Sequence, residues 1–268
     1  MTISSILRQP LSMFDLQGKV AAITGASGAF GRACALMLAS SGVKLLLASG
    51  SESELAELMT EVKEVGGEAR PLVRRPATLE DAEAIRAAAI EAYGKIDILV
   101  IASGFNKAGF IQDQPLETWQ AVMDANVQGA WLMAKSVGSW WIENKVRGKM
   151  LLVSSVRGRH GNVSGYTAYC TSKGATDALT RVLATEWAKY GINVNAIAPT
   201  VFRSKLTAWM WSDDPVGKET RERSLSRIPL GRLGEPEDLM GMALYLLSPA
   251  SDFCTGQIMY VDGGYTAG

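Results

Sequence analysis

Residues 19–41, KVAAITGASGAFGRACALMLASS, decide the architecture. Lys19 to Thr24 is a short β-prone apolar run, Gly25, Gly28 and Gly31 fall within the next seven positions, and Arg32 to Ser41 carries a helical apolar pattern. The stretch reads as strand, turn, helix. Gly25 and Gly31 suit a backbone that turns tightly and approaches a pyrophosphate, whose charge the N-terminus of the next helix attracts. The same glycines also suit a plain strand-to-helix turn.

The unit recurs. Val43 to Ala48 predicts a second strand, and Glu52 to Val65 a helix that Gly66 and Gly67 end. Ala69 to Arg74 is a weaker strand and Leu79 to Tyr93 a third helix. Further strands are predicted at Ile96 to Ala102, Lys149 to Ser154, Ile192 to Ala198 and Gln257 to Val261, with helical segments between them. Strands that are apolar throughout and alternate with helices imply a parallel sheet covered on both faces. The fold expected is α/β: one Rossmann-like doubly wound domain over residues 1–268, seven parallel strands with helices on both faces. No internal repeat or linker divides it.

Composition narrows the partners. The 268 residues, 47% of them hydrophobic, suffice for a full core, and 27 basic residues balance 27 acidic ones. That balance leaves no net field to recruit nucleic acid or anionic lipid, so a small-molecule ligand is expected. Cys34, Cys170 and Cys254 show neither disulfide nor zinc spacing, and with a single histidine no metal site is expected. The first residues lack the apolar core of a signal peptide and no run is long enough to cross a bilayer, so a cytoplasmic protein is expected.

The chemistry concentrates at 154–173, SSVRGRHGNVSGYTAYCTSK. If Tyr169 to Gly191 is helical, as the spacing of Ala175, Leu179, Val182, Leu183 and Trp187 suggests, Tyr169 and Lys173 stand one turn apart on one face. A nearby cation favours the phenolate, and bringing a phenol from pH ~10 to near 7 takes about 4 kcal/mol. Such a phenol is a usable general acid or base. His160 with Ser155 suggests a serine hydrolase, but no GxSxG elbow surrounds the serine and no acid stands behind the histidine.

Taken in order, TGASGAFG (24–31), DILVIASG (97–104), Asn126 in DANVQG, the serines of LLVSSVRG, YCTSK (169–173), INVNAIAPT (192–200) and the segment from GEPEDLMG to VDGG resemble the short-chain dehydrogenase/reductase family. The resemblance runs from about Phe14 to Gly264. It implies that Tyr169 exchanges a proton with the carbonyl or alcohol oxygen, and that Lys173 lowers its pKa and holds the nicotinamide ribose. Ser155 would bond the substrate oxygen and Asn126 hold a water of the proton relay. Strand alternation lets only one of Ser154 and Ser155 reach the site, and Ser155 is chosen although it precedes Tyr169 by fourteen residues where the family usually has thirteen. The rival phenol Tyr166 has Cys170, not a lysine, four residues on.

By the same resemblance the dinucleotide would contact Gly25, Ser27, Gly28, Phe30, Gly31, Ser49, Gly50, Arg75, Ala102, Ser103, Tyr169, Lys173, Pro199, Val201 and Ser204. Departures cluster here. Ala29 replaces the middle glycine of the turn, Ile101-Ala102-Ser103-Gly104 replaces NNAG, and Ser49-Gly50-Ser51 stands where an acid would bind both ribose hydroxyls. Arg75, beside Arg74, takes the place of an aspartate near the adenine. With no carboxylate at position 49, and serine hydroxyls and a guanidinium at hand for a 2′-phosphate, NADP(H) is slightly favoured over NAD(H).

The function expected is NAD(P)-dependent hydride transfer between nicotinamide and a secondary alcohol or ketone. The two ends of the chain resemble members acting on sugar acids and polyols, such as gluconate 5-dehydrogenases. The alternatives are a reductase of hydrophobic ketones or 3-oxoacyl thioesters and a weakly catalytic nucleotide-binding sensor or scaffold. An N-terminal arm (1–16) and a substrate lid (203–228) are expected, the lid with Leu206, Trp209, Met210 and Trp211 as candidate walls. Arg157, Arg159, His160, Asn106 and Lys107 are candidate polar contacts for a hydroxylated or acidic substrate. A homotetramer joined through 116–143, 167–190 and the last strand is implied, with Trp131, Trp140, Trp141 and Trp187 at that contact or inside.

Overall fold

The structure, a computed structural model, describes residues 5–268, apart from the side chains of Ser5 and Leu206. Of the N-terminal arm, residues 1–4 lie outside the described residues. The remainder forms α1 (Ser5–Arg8) and a 3₁₀ turn at Pro10–Phe14.

Seven strands follow: β1 (Val20–Thr24), β2 (Lys44–Ser49), β3 (Glu68–Val73), β4 (Ile98–Ile101), β5 (Lys149–Val153), β6 (Asn193–Pro199) and β7 (Ile258–Val261). They form one parallel sheet in the order β3-β2-β1-β4-β5-β6-β7. The helices are α2 (Ala29–Ser40), α3 (Glu52–Glu64), α4 (Leu79–Tyr93), α5 (Leu116–Met123), α6 (Gly129–Glu143), α7 (Thr167–Trp187), α8 (Pro215–Leu225) and α9 (Met240–Leu247).

The strands alternate between two cores. Ala21, Ile23, Leu45, Leu47, Ile98, Val100, Leu151 and Ile197 face α2, α3 and α9; Ala22, Leu46, Leu99, Ile101, Met150, Leu152 and Ala196 face α4, α6 and α7. Both faces are dry, which is why these strands carry no polar alternation. β3 is the exception: it pairs only with β2, its residues are largely exposed, and as an edge strand it tolerates Pro71.

Two expectations are adjusted. The predicted 116–143 helix is interrupted by one π turn at Asp124–Gln128, and the predicted 169–191 helix ends at Trp187, with 188–190 a 3₁₀ turn that Gly191 closes at φ +73. Among the described residues no helix is long and apolar enough to cross a membrane.

Strand order reverses between β1 and β4. Gly25, just past β1, adopts φ +65, and a Cβ there would lie 2.5 Å from the Ser103 nitrogen and 2.6 Å from the Ala102 carbonyl carbon. The two chains therefore touch backbone to backbone at the carboxyl ends, where doubly wound sheets open a crevice.

Candidate active site

Two consecutive serines leave β5, and their side chains part as an extended chain requires. Ser154, fully buried, donates to the carboxylate of Asp177. Ser155 turns the other way: it accepts from the Arg157 amide at 3.2 Å, lies 3.4 Å from the Pro199 carbonyl, and is near enough to the Tyr169 phenol to pull its pKa down. The extra residue between Ser155 and Tyr169 is accommodated without separating them. Gly165 takes φ +71, its carbonyl accepts from the Gly109 amide at 2.8 Å, and Tyr166 forms an isolated bridge there, edge-on to Tyr169.

Tyr169, Lys173 and Asp177 are successive rungs of one face of α7. Lys173 is 5% exposed, and its Nζ donates to the Val153 carbonyl at 2.8 Å while standing 5.6 Å from the Tyr169 ring centroid. Burial pushes the Lys173 ammonium down to about 8, against the opposing pull of Asp177. Burial also pushes the Tyr169 phenol up, and Ser155 and Arg157 oppose that. The Lys173 ammonium thus spends its hydrogen bond on a backbone carbonyl and not on the phenol.

Asn126 lies inside the π turn, a form of helix that recurs at functional sites. Its Oδ1 accepts from the Phe105 amide at 2.7 Å, and its Nδ2 donates to the Phe105 carbonyl at 2.9 Å and to Ser172 Oγ at 2.8 Å. The side chain thus ties the loop after β4 to α7. Gly104 closes the circuit: a Cβ there would sit 3.4 Å from Asn126 Oδ1 and 3.9 Å from Lys173 Nζ. Through Gly104, Ser103 and Gly25, the phenol-bearing helix abuts the glycine turn.

That turn is built for close approach. A Cβ on Gly31 would overlap the Gly25 carbonyl oxygen, and Gly28 is the residue that precedes α2. Ala29 opens the helix without a positive φ. Phe30 packs against the β1–α2 core.

The family model described as enoyl-(acyl carrier protein) reductase matches residues 25–266. An uncharacterized oxidoreductase of Mycobacterium tuberculosis is 50% identical over 96% of this chain and 94% of its own length. A 2-dehydro-3-deoxy-D-gluconate 5-dehydrogenase of Dickeya dadantii is 35% identical over 96% and 99%. The chain belongs to the short-chain dehydrogenase/reductase family. Among solved structures, the NADP-bound structure of a protein assigned as an NAD(P)-dependent gluconate 5-dehydrogenase from Beutenbergia cavernae superposes with TM-score 0.87 at 33% identity, over 96% of this chain and 100% of that one. This short-chain dehydrogenase/reductase is accordingly an NAD(P)-dependent oxidoreductase.

The residues fit a dinucleotide. The Cβ-free crossing at Gly25, the open start of α2 and the buried Thr200 hydroxyl, without a hydrogen-bond partner among the described residues, lie along the carboxyl ends of β1 and β6. Where the family resemblance expects the adenosine, Ser49 Oγ meets Ser27 Oγ at 2.7 Å. Ser27 also donates to Glu54 Oε2 at 2.8 Å, and Glu54 Oε1 receives Lys205 Nζ at 2.8 Å. The Arg75 guanidinium packs directly on Gly50, whereas Arg74 is paired with Asp81 at 2.8 Å. The two arginines are not one basic pair.

Beyond β6, Pro199 ends the strand, Val201 bonds Gly234, and Ser204 caps the 3₁₀ turn Lys205–Trp211 through Thr207. In the segment expected to form the lid, Met210 is buried, Trp209 is 44% exposed, Trp211 lies under Arg203 at 4.9 Å, and the Leu206 side chain is outside those described. His160 stands edge-on to Tyr265, and Arg159 covers Tyr260. Trp141 is interior, its Nε1 donating to the Ile96 carbonyl at 2.8 Å, while Trp187 covers Gly138. The sequence reading missed three contributors: Ser172, which braces Asn126, and the carboxylates Asp177 and Glu54. Asp177 was within reach of that reading, being four residues beyond Lys173; Glu54 was not, because its partner Ser27 is 27 residues away.

Proposed function

We propose that Tyr169 gives a proton to the oxygen of a ketone as it is reduced, and takes it back when the secondary alcohol is oxidised. A bound nicotinamide supplies or receives the hydride at the carbonyl carbon. Ser155 holds the substrate oxygen, Lys173 holds the nicotinamide ribose, and Asn126 fixes the loop between them. The observation that carries this reading is the meeting of Tyr169, Ser155 and Lys173 beside Gly104, one residue from the backbone that Gly25 touches.

Gly25, Ser27, Gly28, Phe30, Gly31, Ser49, Gly50, Arg75, Ala102, Ser103, Pro199, Val201 and Ser204 line the dinucleotide, and 203–228 forms the lid. Arg75 against Gly50, with no acid at position 49, supports NADP(H); Glu54 opposes it. The substrate class is a sugar acid or related polyol, supported by the relatives' names and by Arg157, whose charge reaches Tyr169. A hydrophobic ketone is the second reading, favoured by Phe105, 41% exposed next to Gly104. Assembly uses α6 and α7, where Trp131 is 49% and Val182 52% exposed.

The test is Tyr169→Phe, assayed at the nicotinamide absorbance band against gluconate, polyols, acetoacetyl thioesters and aryl ketones. Wild type should turn over the sugar acids or polyols, and the variant should lose about 10²–10⁴-fold with its fold intact. Activity of the variant within about twofold of wild type refutes the role of Tyr169. Nucleotide binding without turnover on the whole panel favours the sensor reading instead.

A further inference from the structure

The adenosine end of the crevice contains a carboxylate that no residue of the strand end supplies. Glu54 sits in the first turn of α3, its amide 3.4 Å from the capping Ser51 hydroxyl, and its side chain reaches back to the glycine turn. A carboxylate only accepts, so Ser27, at 2.8 Å, donates to Glu54. Ser27 has one proton, so in the 2.7 Å contact between the two serines Ser49 must be the donor. Both hydroxyl protons thus run toward Glu54, in the order Ser49, Ser27, Glu54. Ser49 also receives the Ser51 amide at 3.4 Å, and Lys205 and Ser27 together hold the Glu54 carboxyl below the usual carboxylate range.

This polarity reverses the inference drawn from Ser49 and Ser27 as residue types. A 2′-phosphate offers only acceptor oxygens and about two negative charges, and neither serine has a proton left to give it. A ribose 2′-hydroxyl has a proton to donate into the lone pairs of Ser49 or Glu54. The cations nearby are largely committed: Arg32 pairs with Glu57 and Glu61, Arg74 with Asp81, and Lys205 with Glu54 itself. Of the cations near this site, Arg75, exposed on Gly50, makes no ion pair among the described residues. One solvated guanidinium faces one carboxylate held in place by two partners, and an exposed cation contributes little.

We propose that Glu54 is the specificity-determining acid of the adenosine ribose, acting from α3 in place of a strand-end carboxylate and holding this dehydrogenase/reductase to nucleotides with a free 2′-hydroxyl. Lys205, delivered by the lid, tempers it. The proposal rests on the dinucleotide reading above and goes further by naming the nucleotide.

The test is calorimetric titration of the full-length protein, free of nucleotide, with NAD⁺ and with NADP⁺, for wild type, Glu54→Gln and Lys205→Met. Both side chains are at the surface, and circular dichroism checks that each variant is folded. Wild type should bind NAD⁺ more tightly; Glu54→Gln should move the ratio of the two dissociation constants toward NADP⁺ by about tenfold or more; and Lys205→Met, which leaves the carboxylate uncompensated, should move it the other way. A wild-type preference for NADP⁺, or a ratio in Glu54→Gln within about twofold of wild type, overturns the proposal and leaves the reaction assignment standing. A wild type that binds neither nucleotide overturns both.

Discussion

Replacing Lys173 by methionine tests whether the ammonium is as poorly accommodated as its surroundings imply. Lys173 is 5% exposed, and burial lowers it from 10.5 to about 8. The native state therefore holds this proton less tightly than the unfolded chain does. The sign follows directly: the destabilisation is fully present below pH 8 and fades as pH rises toward 10.5. The gap corresponds to about 3 kcal/mol at neutral pH, and between about pH 7.5 and about pH 9.5 roughly 2 kcal/mol of it disappears. Lys173→Met removes the charge but leaves the Val153 carbonyl without its donor, which costs about 1–3 kcal/mol and nearly cancels the gain at pH 7.5. The pH-dependent difference is unaffected by that cancellation. Urea unfolding of both proteins at the two pH values, at one protomer concentration, should show wild type gaining about 2 kcal/mol on the variant as the pH is raised. Parallel pH dependence in the two proteins would refute the reasoning.

Asp177→Asn should move the alkaline limb of the kcat/KM profile to lower pH, because Asp177 is the charge that supports the Lys173 ammonium and asparagine still accepts from Ser154. A limb in the same place, with activity and fold intact, would show that Asp177 acts only in packing. Gly31→Ala should lower stability by about 1–3 kcal/mol, since its Cβ would overlap the Gly25 carbonyl and lie 2.9 Å from the Ala26 Cα, both backbone atoms that cannot swing away. Thermal unfolding should register a midpoint about 2–12 °C lower, and the same variant should weaken nucleotide binding through the displaced turn.

The sheet was legible because its strands are buried on both faces. A run such as Lys44–Ser49 that alternates between two dry cores shows no polar period, and that absence is the signal. Helix starts were less legible. α2 begins at Ala29, three residues before the predicted Arg32, because the turn's glycines and alanines run into the helix with no polar cap to mark it. The π turn left no trace in the apolar pattern, although it aims Asn126 at Phe105 and Ser172. Trp131 and Trp141, like Trp140 and Trp187, were given the same two roles, contact or interior, yet ten residues of helix is about 280° of rotation beyond two full turns, and Trp131 is exposed while Trp141 is fully buried. At the site, helical period set Tyr169 and Lys173 on one face of α7, and the family resemblance gave that pair its role. The cofactor preference did not follow, because residue types at 27 and 49 say nothing about which way their hydroxyl protons point, and Glu54 sets that from a different element.

The division of labour between Ser154 and Ser155 links the reaction to the fold. The last residues of β5 are pinned by register, Leu152 to Ala196 and Val153 to Ile197, and the Ser154 amide continues the ladder to the Ile197 carbonyl. Because side chains alternate, that register sends Ser154 to Asp177 and Ser155 to Tyr169, two rungs apart on the same helix. A slip of one residue moves every side chain of the strand to the opposite face, so that either Val156 takes the place of Ser155 or Val153 takes the place of Ser154. In the first case the phenol faces a valine; in the second Asp177, 5% exposed and raised by burial, loses its hydroxyl donor on that side. The cost of an unsatisfied buried carboxylate thus penalises the second slip, while the first disables the acid. The pairing of Ser154 with Asp177 therefore acts on the chemistry at one remove, by helping to hold the register that brings Ser155 to Tyr169.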